Sequence, residues 1–258
     1  MEYITESLRL ALNIGGLGYI FLILFLALLL RAAIGFGDGL LAVPLLTVFI
    51  ELREAVPLIL LLSTTISFFT LWKDRHALQL GSLKRTSFSA ILGIPLGVLL
   101  LSFGNEDIAK GLLGFLLITI AAWQLLPSSN FRLKGDGWSY LFGGLAGMLG
   151  SAYALRGIVF SIYGNLRGWG ASEFKSTISG FYIISGVLIP ITYIAAGLIT
   201  QRLLGLYLLL LPAAILASII GQRLTSKFDA AAFQRIIWLF LLLFGCVLAA
   251  RLAWSFSL

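Results

Sequence analysis

Five residues, Gly35-Phe36-Gly37-Asp38-Gly39, interrupt an apolar run whose two parts are 19–34 and 40–50. A second interruption, Ser151-Ala-Tyr-Ala-Leu-Arg-Gly157, follows at an offset of 119 positions between the apolar parts 138–150 and 158–167. Backbone that leaves the helix within an apolar layer survives only where protein buries it or a water-filled cavity solvates it. Two such breaks at matching places in a chain point to a central site of the kind found in membrane carriers.

The rest of the sequence leaves room for little else. It is 60% hydrophobic and 11% charged, whereas soluble domains carry about 25% charged residues. Apolar stretches near the roughly 20 residues needed to span a bilayer lie at about 57–72, 87–103, 108–126, 175–199, 203–221 and 232–250, beside the two interrupted segments. Connections are short, and the longest, around 128–137, has no room for a soluble domain. The reading is an all-α polytopic membrane protein that works within the bilayer. The N-terminal stretch shows no small-residue cleavage pattern, so no removable signal is expected. The net charge of +7 reflects Lys and Arg gathering in cytoplasmic loops and calls for no nucleic-acid partner. Cys246 is alone, which excludes an intrachain disulfide, and is expected to be packed and inert. His76 is also alone, so no Cys/His metal cluster is expected, and no cofactor.

Both halves run in the same order: a broken segment, a connector bearing acidic and basic residues, then three spans. We read a duplication, with a first transmembrane repeat over 1–126, a connecting loop over 127–137 and a second repeat over 138–258. Asp107 and Asp229 open the last span of each half, three residues off the main offset. If each broken segment crosses the membrane, the repeats are parallel; if each dips in and returns, they are inverted. Loop charge arbitrates. The crossing arrangement divides the Lys and Arg residues nine against seven, the hairpin arrangement eleven against five, so inverted repeats are favoured, with both chain ends outside the cytoplasm.

Asp38 and Arg156 carry charge at nearly equivalent breaks, since the offset maps Gly37 onto Arg156. A carboxylate at bilayer depth costs about 2.5–3.5 kcal/mol on insertion scales, so it needs a partner or a cavity. Asp38 is read either as an N-cap for a helix starting at Leu40 or as the proton acceptor of a coupled carrier. Arg156 is its natural partner, or the holder of an anionic substrate, because the guanidinium fork suits carboxylate and sulfonate oxygens. Helices starting at Leu40 and Ile158 would turn their free N–H groups toward that anion. The candidate substrate-binding set is thus Arg156, Gly37, Gly39, Leu40, Gly157, Ile158, Lys175 and Ser176, with Asp38 for proton coupling. Ser63, Ser67 and Thr70, and likewise Ser172, Ser176 and Ser179, form stripes at helical spacing that serve helix packing.

GFGDGLLAVPLL, the connector ELREAVPLILLLS, and YGNLRGWGASEFKSTISGFY with the downstream Tyr193–Thr200 stretch together resemble the sulfite exporter TauE/SafE family, the toluene-sulfonate uptake permeases. The likeness spans nearly the whole chain. It implies a bacterial inner-membrane carrier of sulfite, sulfoacetate, other sulfonates or related small sulfur anions, coupled to protons, with a homodimer left open. Asp38 stands where the family tends to carry glycine, Lys175 where it tends to carry arginine, and the second break is poorer in Gly and Pro. A passive anion channel and an intramembrane enzyme are the competing readings, the latter without a nucleophile, base cluster or metal set.

Overall fold

The computed structural model describes residue 6 and residues 16–74, 77–125, 132–224 and 230–255. Among these, the secondary structure is helical throughout: α1 (Leu17–Ile34), α2 (Asp38–Leu46), α3 (Leu52–Asp74), α4 (Leu80–Phe103), α5 (Glu106–Leu125), α6 (Trp138–Tyr153), α7 (Arg156–Arg167), α8 (Ala171–Ala195), α9 (Gln201–Leu224) and α10 (Ala230–Ser255). Five of them, α1, α4, α5, α8 and α9, are long and apolar enough to cross a membrane. Their apolar outer faces, with Phe88, Leu92 and Leu99 of α4 all exposed, need lipid rather than water around them.

The chain divides into two compact units, residues 1–102 with 132–225, and residues 103–131 with 226–258. In the smaller one α5 and α10 pack closely. A Cβ on Gly111 would strike Leu252, and one on Gly114 would fall 2.8 Å from the Gly245 carbonyl oxygen. Such small residues let backbones approach where no hydrophobic force drives helices together. Cys246 lies exposed on α10, not packed as its sequence setting implied. His76 falls outside the described residues.

In the larger unit both broken segments are helical hairpins. Gly35 and Gly37, at φ 101° and 106°, reverse the chain between α1 and α2, a backbone region that glycine enters without steric cost. The returning chain brings Phe49 back onto Tyr19, with stacked rings 5.6 Å apart. The second hairpin turns at Ala154, φ 57°, and returns Tyr163 to the start of α6, where its hydroxyl lies 2.6 Å from Ser139 Oγ. Hydrogen bonds from Leu133 N to Leu166 O and from Arg132 Nη1 to Asn165 O close its open end.

These open ends lie at opposite ends of the unit. The first adjoins the start of α3, where Arg53 donates to Leu101 O and Glu54 faces Arg202 at 3.6 Å. The second adjoins the start of α8, where Glu173 accepts from Gln79 Nε2 and Arg85 pairs with Asp136. Each hairpin packs on a helix from the other half of the chain. Gly221 of α9 rests on the Leu29 carbonyl of α1, while Gly93 and Gly97 of α4 meet the Gly144 and Met148 carbonyls of α6.

Candidate functional site

The two hairpin tips touch. A Cβ on Gly39 would lie 2.1 Å from the Ala154 carbonyl oxygen, and one on Gly157 would lie 2.9 Å from Phe36 Cβ and 2.2 Å from the Tyr182 hydroxyl. Both second legs start two residues earlier than their apolar runs indicated. Asp38 and Arg156 are themselves the first residues of α2 and α7, not residues before helices opening at Leu40 and Ile158.

Asp38 caps nothing, because the residue before α2 is Gly37 and no side-chain cap bond forms there. Its carboxylate accepts from Ser63 Oγ and pairs with Arg31 Nε at 3.3 Å. Arg31 lies near the end of α1, donates from Nη2 to Ser67 Oγ at 2.5 Å, and sits 4.4 Å from the centre of the Tyr182 ring. Ser63 and Ser67, one turn apart on α3, therefore anchor an ion pair as well as packing a helix.

The direct Asp38–Arg156 pair that the repeat offset made natural is replaced by this one. Arg156 donates from Nη1 to Ser185 Oγ at 2.9 Å and from Nη2 to Thr64 Oγ1 at 3.3 Å, with its guanidinium 4.1 Å from the Tyr182 ring centre. One tyrosine ring thus carries both guanidinium groups. Tyr182 is fully buried, and its hydroxyl has no hydrogen-bond partner among the described residues. Arg156 is 1% exposed, Arg31 3% and Asp38 4%. Among the described residues no carboxylate stands within 4.0 Å of the Arg156 guanidinium.

The other anticipated residues are distributed around this core. Gly37 makes the first turn, Leu40 and Ile158 are buried near the two helix starts, and Gly39 and Gly157 give the tips room to meet. Lys175 is half-buried and reaches Ala32 O from Nζ at 3.4 Å, beside Gly35. Ser176 is buried on α8, about 9 Å along the axis from Tyr182 at 1.5 Å per residue. Ser172, in the same stripe, is exposed, and the side chain of Thr70 falls outside the description.

A family model described as sulfite exporter TauE/SafE matches residues 20–248. The chain belongs to that family. As a TauE/SafE member with several apolar helices it is a multi-pass membrane protein of a transporter family whose substrates are small anions. No curated protein and no solved structure matches the chain. Within this TauE/SafE chain the residues that sequence reasoning overlooked are Arg31, the Tyr182 ring that it shares with Arg156, and Thr64 and Ser185, which accept from Arg156. A lone arginine inside an otherwise apolar 16-residue run is the signal that marks the first of them.

Proposed function

We propose that the chain is a secondary transporter of small sulfur-containing anions, such as sulfite and organosulfonates, in a bacterial inner membrane. The substrate is held between the hairpin tips. The observation that carries this reading is Arg156, buried to 1% exposure and bound only by neutral groups among its described partners, at the start of a helix. A buried cation without a counter-charge is costly, and helix-terminal N–H groups beside it favour an anion. Gly37, Gly39, Leu40, Gly157 and Ile158 contribute backbone to the cradle. Lys175 and Ser176 line the approach, and Asp38 is the proton acceptor.

Opposed open ends support inverted repeats over 1–126 and 138–258, with the end bearing Lys84, Arg85, Arg132, Lys134 and Arg167 facing the cytoplasm. The glycine contacts of α1 with α9 and of α6 with α4 fit the same two-fold relation.

Counterflow in proteoliposomes tests the site. Vesicles loaded with unlabelled sulfite should accumulate labelled sulfite transiently through the unaltered chain and not through Arg156→Ala. Arg156→Lys keeps the charge without the two-pronged fork and should retain a reduced rate. Undiminished counterflow in the alanine variant would remove Arg156 from the site, and uptake that never saturates would indicate a channel.

A further inference from the structure

Three charged side chains are buried among the described residues: Arg31, Asp38 and Arg156. Two cations against one anion leave one uncompensated positive charge beneath the Tyr182 ring and the two hairpin tips. Other charged groups near this core differ in kind. Lys175 is only half-buried and turns to a backbone carbonyl, while Glu54 and Glu173 face Arg202 and Gln79 at the ends of the unit.

Resting on the anion-carrier reading, we infer that the site, while Asp38 is ionised, is built to accept one negative charge, so in that state its substrates are monoanions and the Asp38 carboxylate sets that limit. Asp38 pairs with Arg31 at 3.3 Å, and its single negative charge leaves the Arg31–Arg156–Asp38 group one positive charge in excess. A monoanion completes the balance; a dianion brings an unmatched negative charge beside the Asp38 carboxylate, where repulsion and desolvation both oppose it. Among small sulfur anions, hydrogensulfite and simple monosulfonates satisfy this count, whereas sulfoacetate and the sulfite dianion exceed it. Arg31 is accordingly a positioning residue. It holds Asp38 and the Tyr182 ring and is occupied by its own carboxylate.

The test uses two probes whose charge is fixed near neutral pH, methanesulfonate as the monoanion and sulfate as the dianion. Each is titrated against the purified full chain in detergent, and affinity is read from thermal stabilisation. The unaltered chain should bind methanesulfonate about tenfold or more tighter than sulfate, the scale of one charge-assisted contact. Asp38→Asn raises the buried charge by one and should reverse the preference. Arg31→Gln lowers it by one and should weaken methanesulfonate by about tenfold or more. The double variant Arg31→Gln/Asp38→Asn restores the original count and should regain the methanesulfonate preference, which a merely structural loss of the pair would not produce.

Equal or tighter sulfate binding by the unaltered chain overturns the inference while leaving an anion site in place, and this comparison does not depend on any variant folding. A double variant that folds but fails to regain the preference also overturns it. Stabilisation by neither anion overturns the inference together with the anion-carrier reading.

Discussion

The first hairpin tip turns through Gly35 and Gly37 and contains its own ion pair, whereas the second turns through Ala154 and presents an arginine with no carboxylate within 4.0 Å among the described residues. The two are otherwise alike: a longer first leg, a reversal of a few residues, and a short second leg whose first residue is charged. The repeat offset aligns Arg31 with Gly150 and Gly37 with Arg156. Each hairpin therefore carries one arginine, on the first leg in one and on the second leg in the other. Gly150 is bare where Arg156 folds over it, since a Cβ there would come 2.8 Å from Arg156 Cβ. Matching frameworks can thus hold unlike chemistry, one tip neutral in itself and the other positively charged.

That contrast is broken most severely where the tips meet. Gly39→Val places a side chain against a backbone carbonyl that no rotamer change relieves, and should cost about 1–3 kcal/mol or more. Unfolding of the purified variant in detergent and denaturant measures this, with Gly18→Ala as the comparison because a Cβ at Gly18 meets nothing within 4 Å. Equal stability of the two variants would show that the tips do not touch.

Removing the serine that supports each charge sharpens the comparison. Ser63→Ala and Ser185→Ala each strip one hydrogen bond from a buried charged group, worth about 1.5–3 kcal/mol. For Ser185→Ala the loss should appear in anion affinity, because Arg156 is the charge proposed to face the ligand. For Ser63→Ala it should appear chiefly as lower stability of the unliganded protein. The opposite assignment, measured by paired binding and unfolding titrations, would transfer the ligand-facing role to the first tip.

The smallest effect concerns the two turns. Ala154 holds φ 57°, which costs a residue with a Cβ about 1 kcal/mol relative to glycine. Ala154→Gly should therefore stabilise slightly, by up to about 1 kcal/mol, and Gly35→Ala should destabilise by a similar amount. Melting temperatures of the two variants check the signs, and a lower value for Ala154→Gly would reject strain at the second turn.

The breaks were legible because glycine and charge are conspicuous in an apolar run, and the positive charges of the loops pointed to hairpins rather than crossings. The helix starts were misplaced by two residues because apolar content was read as helical content. Asp38 and Arg156 instead take the first helical positions as soon as the reversal ends at Gly37 and Leu155. Arg31 stayed hidden for a related reason. Its counterpart under the offset is Gly150, so aligning the halves drew attention to Arg156 and passed over the arginine seven positions before Asp38. Only folding the chain back at Gly35–Gly37 brings those two side chains together. The ring partner of Arg31 on α8, Tyr182, belongs to the other half, and nothing local in the sequence marks a ring as the one a distant guanidinium will choose.

The glycine seams between the halves have a consequence for assembly in time. Translation delivers α4, with Gly93 and Gly97 shaped for the carbonyls of α6, before α6 exists, and α1 waits longer still for Gly221 of α9. A nascent chain that has emerged only as far as residue 126 contains Arg31, Asp38 and their serines, but lacks the helices that cover both of its glycine seams. Closure of the larger unit is therefore a late event in synthesis, and the helix that seals α1 arrives after both hairpins are already in place.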